Sequence, residues 1–219
     1  MNTYLVVDTE TSGLGSVVRA CEIAWVTIDE NLKVLDEQVH LTDPQIVMDP
    51  GAIAIHGITN EQVAGFPSNG DICAKMPQPF VWCGHNSSYD QRVIAEHVTF
   101  NGNLCTLALA RRWLPNTTNH KLATLQKELG LSEQKSHSAL GDCRTTLELL
   151  KVLLDKSGRT LPALLELESK PKVLPKMPFG MYKGRLFVDI PKQYLRWMSE
   201  QPDWHPDILH TIKQLRLLS

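Results

Sequence analysis

The sequence lacks the features that would mark an exported or membrane-bound protein. No apolar run among its 219 residues is long enough to span a bilayer, and the N-terminus has no basic segment followed by an apolar one. The five cysteines are scattered and no two form a Cys-x-x-Cys pair, which disfavours a zinc site or a disulfide framework. Scattered cysteines of this kind are expected to be reduced thiols, which are the default in a cytoplasm. We therefore expect a cytoplasmic protein, and from the lack of a long apolar run we expect no membrane partner.

The net charge is also small, at −2, but the charges are unevenly distributed. Residues 1–169 carry 13 Lys and Arg against 20 Asp and Glu, whereas residues 170–219 carry nine against four. A basic end on an acidic body indicates a polyanionic partner, although solvated lysines would give the same count.

The apolar pattern predicts a mixed sheet flanked by helices. Strands are predicted at residues 4–7, 22–28, 33–41 and 80–83, and the first three have short links that favour an antiparallel meander. Helices are predicted at residues 90–97, 105–115, 120–129 and 138–154. Strands that come first, followed by helices interleaved with further strands, are typical of an α/β fold.

The stretch VVDTETSGL, residues 6–14, ends an apolar strand with two carboxylates. Because side chains alternate along a strand, Asp8 and Glu10 lie on one face and Thr9 lies on the other. Two adjacent carboxylates repel each other, and the stretch contains no Lys or Arg that would compensate for them. Either a divalent cation binds there, since hard cations prefer carboxylate oxygens, or the strand simply ends in solvent.

Two later stretches place further acids at the starts of helices. HNSSYD follows the fourth strand and ends at Asp90, and HSALGD begins the last long helix and ends at Asp142. The positive end of the helix dipole favours an anion in the first turn. If these acids meet the first pair, two divalent ions would balance them and would suit phosphodiester chemistry. His137 fits the general base, because imidazole side chains titrate near neutrality, at ~6.5.

The stretches DTETSGL, HNSSYD and HSALGD resemble, in order and spacing, the three motifs of the DEDDh (DnaQ-like) 3′–5′ exonucleases. The resemblance covers most of residues 4–155, and IHGIT at residues 55–59 is similar to the family segment between the first two motifs. His137 stands five positions before Asp142, which places the chain in the histidine branch of that family. Tyr89 stands where many members have phenylalanine, an exchange that we expect to be tolerated.

The resemblance implies an α/β, RNase H-like fold, in which a mixed five-stranded sheet is flanked by helices and followed by a small C-terminal appendage. It also implies two Mg²⁺ ions, for which Mn²⁺ can substitute, and His137 as the general base. The implied metal ligands, which are also catalytic, are Asp8, Glu10, Asp90 and Asp142. His56 resembles the family position that contacts the 3′-terminal nucleotide. We expect further substrate contacts at Thr11, Leu14 and Asn86, whereas Arg111 and Arg112 fit a solvated helix face.

The basic end has a resemblance of its own, because residues 177–198 are similar to the C-terminal segment of exonuclease X-type proteins. We therefore expect an exonuclease domain at 1–156, a linker at 157–177 and a small basic module at 178–219. By analogy, this resemblance favours DNA over RNA as the substrate, with release of nucleoside 5′-monophosphates from the 3′ end.

Two other functions fit the same residues. An exoribonuclease would use the same site, since the metal chemistry does not depend on the sugar. A catalytically silent adaptor would use only the fold and the basic module to bind nucleic acid or a protein.

Truncation after Lys156 is expected to weaken the affinity for nucleic acid and to flatten its salt dependence, because the basic module would be lost. Affinity measured across a range of salt concentrations tests this. An unchanged affinity would instead assign the module to a protein partner.

Overall fold

The computed structural model of the chain describes residues 2–132, 137–200 and 206–217. The chain forms two compact units, which divide between Leu167 and Glu168. The first unit contains a sheet with helices on both faces, and the second contains two helices with a small core of their own.

The strands of the first unit are β1 Tyr4–Thr11, β2 Ala20–Ile28, β3 Val34–Leu41, β4 Phe80–Gly84 and β5 Phe100–Cys105. They form one five-stranded sheet in the order β3-β2-β1-β4-β5. The first three strands make the predicted antiparallel meander, and β1, β4 and β5 run parallel to one another. The mixed five-stranded sheet confirms the predicted fold class.

Ten α-helices can be assigned in the described residues. In chain order they are α1 Pro50–His56, α2 Asn60–Val63, α3 Asn69–Cys73, α4 Ser88–Ile94, α5 Thr106–Trp113, α6 Leu122–Leu129, α7 Ala139–Ser157, α8 Leu161–Ser169, α9 Lys192–Ser199 and α10 Pro206–Gln214. None of the helices in the described ranges combines the length and the apolar character needed to cross a membrane.

Side chains alternate along β1, so this strand contributes to the hydrophobic cores on both faces of the sheet. Tyr4 and Val6 pack on the face that α7 covers, whereas Leu5 and Val7 pack on the opposite face with residues of α3 and α4. A central strand that is buried on both faces has a continuous apolar sequence, which is why this strand was predictable.

The two units divide later in the chain than the expected domain boundary. Helix α8 lies in the segment that we expected to be a linker, and its Leu161 and Leu164 are fully buried in the core that contains α7. Truncation after Lys156 would therefore remove part of the first core. A truncation that tests the basic module alone has to follow Leu167.

The parallel strands determine where the site forms. Because β1, β4 and β5 are parallel, their carboxyl ends lie along one edge of the sheet, where open α/β sheets bind ligands. Helices α4 and α5 begin directly after β4 and β5, so residues at their starts also lie at this edge.

Candidate active site

The two acids of the first motif lie at the carboxyl end of β1, in the middle of the sheet. Asp8 is half-buried and Glu10 is buried. Burial raises the pKa of Asp8 well above its usual value, and the charges of Asp90 and Asp142 add to this effect. Burial and the charges of nearby acids, with Asp142 the strongest, also raise the pKa of Glu10 to about 8. The structure therefore brings the acids of all three motifs within electrostatic reach of one another.

The acid of the second motif is fixed against the first motif by Thr9. Asp90 lies in the first turn of α4 and is buried. Its Oδ1 accepts hydrogen bonds from the Thr9 backbone N–H, at 3.0 Å, and from the Thr9 hydroxyl, at 2.7 Å. Burial raises the pKa of Asp90 to about 7, although these hydrogen bonds act in the opposite direction. From the sequence, Thr9 was predicted only to lie on the face away from Asp8.

The third motif brings His137 and Asp142 to the same place at the start of α7. One atom each of Glu10, His137 and Asp142 lie within 4.8 Å of one another, close enough to hold one metal ion. Burial raises the pKa of Asp142, and the nearby His137 opposes this through its charge and its backbone N–H. His137 is exposed and has a φ of 58°, in the left-handed region that is uncommon for non-glycine residues and recurs at functional sites.

A fifth acid, Glu22, lies beside these residues and was not predicted from the sequence. It lies opposite Glu10 in the register of β1 and β2. Its Oε2 accepts a hydrogen bond of 2.8 Å from the backbone N–H of Ala139, which ties the first residue of α7 to the sheet. A signal for it was present in the sequence, because Glu22 begins an apolar strand just as Asp8 and Glu10 end one.

The donor set fits a divalent cation. None of the ion pairs identified in the described ranges joins these acids to a Lys or Arg, and His97–Glu96, Arg144–Glu37 and Lys172–Glu168 are among those pairs. Carboxylates that are buried together without a positive partner are costly, and their oxygens are the ligands that hard cations prefer.

Three of the four predicted substrate-binding residues share a cavity of about 460 Å³ beside Glu10, and they are Thr11, Leu14 and His56. Leu14 is 85% exposed and offers an apolar surface at the cavity. His56 is buried, and its Nδ1 accepts a hydrogen bond of 3.0 Å from the Ile58 N–H. Its Nε2 therefore carries the ring proton and lies 3.3 Å from the Thr11 carbonyl oxygen, so that both ring nitrogens have partners within the protein.

The fourth predicted substrate-binding residue lies apart from the other three. Asn86 is exposed, has a φ of 62°, and lines a second cavity of about 510 Å³ together with Arg111 and Lys121.

Tyr89 connects the second motif to the loop that follows β1. Its hydroxyl donates a hydrogen bond of 3.1 Å to the Gly13 carbonyl oxygen and lies 2.7 Å from the Thr11 hydroxyl. The hydroxyl, which phenylalanine would lack, therefore holds the loop that bears Leu14.

Comparison with known proteins agrees with the three motifs. A family model described as Exonuclease matches residues 5–150, and a second model, named for a quorum-sensing-regulated virulence factor, matches residues 170–209. Exodeoxyribonuclease 10 of Escherichia coli K12 is 33% identical over 95% of this chain and 96% of that protein. DNA polymerase III PolC-type of Lacticaseibacillus paracasei is 32% identical over 71% of this chain and 12% of its own length.

Solved structures show the same likeness. Exonuclease X in complex with 5′ overhanging duplex DNA matches with a TM-score of 0.66 at 31% identity, over 75% of this chain and 98% of that chain. Exonuclease I of E. coli in complex with a dT13 oligonucleotide matches with a TM-score of 0.63 at 20% identity, over 79% of this chain and 47% of that chain, which shows a common fold. Since the family model spans more than half of the sequence and the E. coli relative nearly all of it, this chain belongs to the exonuclease family, as its DEDDh (DnaQ-like) motifs predicted.

Proposed function

We propose that the protein is a metal-dependent 3′–5′ exodeoxyribonuclease, which releases nucleoside 5′-monophosphates from the 3′ ends of DNA. The observation that carries this proposal is the crowding of acids from three separate motifs around His137, beside a cavity with an apolar wall. The 33% identity to Exodeoxyribonuclease 10 supports DNA as the substrate.

In this proposal the four motif acids, Asp8, Glu10, Asp90 and Asp142, hold two Mg²⁺ ions, or Mn²⁺ in their place. When bound, the ions neutralise the acids and stabilise negative charge on the phosphodiester. His137 acts as the general base and takes the proton of the attacking water molecule, to which its exposed position gives access. The water oxygen attacks phosphorus, and the 3′-oxygen of the preceding nucleotide leaves.

The cavity beside Glu10 is proposed to hold the 3′-terminal nucleotide. The exposed Leu14 side chain stacks on the base, and Thr11 and His56 form the wall behind it. His56 acts mainly by positioning Thr11, because its ring Nε2–H donates to the Thr11 carbonyl oxygen.

A digestion panel tests the proposed activity. Single- and double-stranded DNA and RNA, labelled at the 3′ or the 5′ end, are incubated with Mg²⁺, Mn²⁺ or a chelator. We expect mononucleotides to be released from the 3′ end of DNA, with no release in chelator. Faster digestion of RNA would favour the exoribonuclease, and no digestion of any substrate would favour the silent adaptor.

The proposal includes a cytoplasmic location and a role for the second unit. All five cysteines are free, which suits a reducing compartment. The basic residues of the second unit suit the phosphates of nucleic acid, and a protein partner is the alternative. DNA repair is one pathway that such an activity serves.

Tyr89→Phe is expected to raise the KM for a single-stranded DNA oligonucleotide about 3- to 10-fold and to leave kcat nearly unchanged. The ring keeps its packing, but the loop that bears Leu14 loses hydrogen bonds worth roughly 0.5–1.5 kcal/mol each. Steady-state kinetics measure this change. A KM equal to that of the wild type would show that the loop does not need the hydroxyl.

A further inference from the structure

The cavity of about 510 Å³ lies at the carboxyl ends of β4 and β5, and among the residues that the structure describes its lining contains cationic side chains but no acidic one. Its polar lining comes from His85, Asn86, Arg111, Asn119, His120 and Lys121. Another cavity, of about 450 Å³, combines Arg19 and Arg92 with Asp43 and Glu96 and is therefore mixed in charge. Residues 1–169 carry 20 acidic side chains against 13 Lys and Arg. The cavity of about 510 Å³ is therefore a locally basic site in an acidic part of the chain.

This cavity lies beside the site acids along the same edge of the sheet. Only β4 separates β5 from β1, which carries Asp8 and Glu10. Adjacent strands are ~4.8 Å apart, so the ends of β4 and β5 lie roughly 5–10 Å from the end of β1. Asn86 lines the cavity, and Asp90 follows it in the first turn of α4. A strand of nucleic acid that reaches the acids with its last phosphodiester can therefore reach this cavity with its next phosphates.

His85 fixes the wall of the cavity. Its Nε2 lies 2.9 Å from the His120 carbonyl oxygen, and its Nδ1 lies 3.0 Å from the Thr106 hydroxyl. Burial lowers the pKa of His85 to about 4, so the ring is neutral near pH 7, and Nε2 carries its proton because a carbonyl oxygen can only accept. The loop that presents Lys121 is thus held against the second motif before any ligand binds.

Arg111 and Arg112 occupy different environments, although both were expected on a solvated face. The Arg112 guanidinium lies over the Trp113 ring, 4.7 Å from its centroid. Arg111 lines the cavity, and within the described ranges neither its side chain nor that of Lys121 has a hydrogen-bond or ion-pair partner. Two cations are therefore available for phosphate oxygens.

We propose that this cavity binds the phosphates of the substrate strand that precede the scissile bond, with Arg111 and Lys121 as the cations and the Asn86 amide as a further donor. The proposal rests on the proposed nuclease function and extends it by assigning the path of the strand. The cavity recognises the phosphates of one nucleic-acid strand and does not contact the bases.

The double variant Arg111→Gln with Lys121→Gln tests the proposal on two substrates. One is a single-stranded DNA oligonucleotide, and the other is the p-nitrophenyl ester of thymidine 5′-monophosphate, which has no preceding phosphate. We expect the oligonucleotide KM to rise ~10-fold and the slope of log KM against log salt to fall by about 1.4, or ~0.7 for each lost cation. Hydrolysis of the ester is expected to stay unchanged. Arg112→Gln, one residue away and stacked on Trp113, is the matched control.

An oligonucleotide KM and a salt slope that match those of Arg112→Gln would overturn the proposal. An equal loss on the two substrates would overturn it as well, because it would place the effect at the catalytic centre. If the wild type hydrolyses neither substrate, the proposed function fails separately. In that case, binding of the oligonucleotide in chelator tests the cavity. Weaker binding by the double variant than by the wild type would support the proposal, and unchanged binding would overturn it.

Discussion

Asp8→Asn is expected to lower kcat for DNA digestion by at least ~10³-fold and, in chelator, to make the folded protein more stable than the wild type. Asparagine keeps the size of the side chain but removes the charge of a proposed metal ligand, and a ~10³-fold loss corresponds to about 4 kcal/mol of transition-state stabilisation. The same change removes a half-buried charge that Asp90, Asp142 and Glu10 repel. Activity and stability should thus change in opposite directions, as is common at functional sites.

The stability gain is expected to depend on pH. The pKa values of Glu10 and Asp90 are raised to about 8 and about 7, above unfolded values of ~4.3 and ~3.9. A carboxyl group whose pKa is raised by folding stabilises the protein fully below its unfolded pKa, and that contribution is lost as the pH rises through the folded pKa. In chelator the wild type should therefore lose stability from about pH 4 to about pH 8, and Asp8→Asn should lose less.

Melting curves in chelator at about pH 5 and about pH 8 measure this difference. At the higher pH we expect Asp8→Asn to melt about 4–8 °C above the wild type, which corresponds to ~2 kcal/mol. Mg²⁺ should raise the melting temperature of the wild type more than that of the variant. Asp36→Asn, at an exposed position of β3, is the matched control and should change neither activity nor the response to pH. Full activity in Asp8→Asn would remove that residue from the site.

Glu22→Ala is expected to lower kcat about 100-fold with little change in KM. The Glu22 carboxylate holds the Ala139 N–H at the start of α7, next to His137 and before Asp142, and a misplacement of ~1 Å at such groups costs on the order of 10² in rate. The variant also leaves a part-buried N–H without its acceptor, so we expect stability to fall by roughly 1–3 kcal/mol.

Glu22→Gln separates the hydrogen bond from the charge. Its amide oxygen still accepts from Ala139, so kcat should recover to within roughly fivefold of the wild type. Glu37→Ala is the matched control, because Glu37 also joins the sheet to α7, through a solvent-exposed hydrogen bond with Arg144. Equal losses in Glu22→Gln and Glu22→Ala would show that the charge, and not the hydrogen bond, is what matters.

The apolar pattern predicted the central elements of the fold and missed some at its margin, among them β5 and α1. Strands β1 and β2 and helix α7 have long apolar patterns because they pack in the middle of the unit. Strand β5, with the sequence FNGNLC, has no such pattern, since only Leu104 is buried and the strand forms by pairing with β4 at the edge of the sheet. Helix α1 begins at Pro50 and Gly51, which indicate a turn locally, but the Asp49 side chain accepts from the Gly51 N–H and caps the helix.

For the site, the sequence predicted which acids would meet but not which residues hold them. The motif residues were identifiable because each carboxylate breaks an apolar pattern or begins a helix. The hydrogen bonds of Thr9 to Asp90, of Tyr89 to the loop after β1, and of Glu22 to Ala139 depend on strand register and loop shape, which no local pattern encodes. Asn86 belongs to the second motif and was predicted to contact substrate together with Thr11, Leu14 and His56. It lines a different cavity from those three residues.

The first and last acids of the site are separated by most of the first unit, from β1 to α7. During synthesis, a ribosome-bound chain has its first motif long before its third. Until α7 has emerged and docked on the sheet, the growing polypeptide holds an incomplete set of the proposed metal ligands and lacks the proposed general base. Because contacts across so long a segment form slowly, we expect hydrolytic capacity to appear only after the whole domain has been synthesised and has folded.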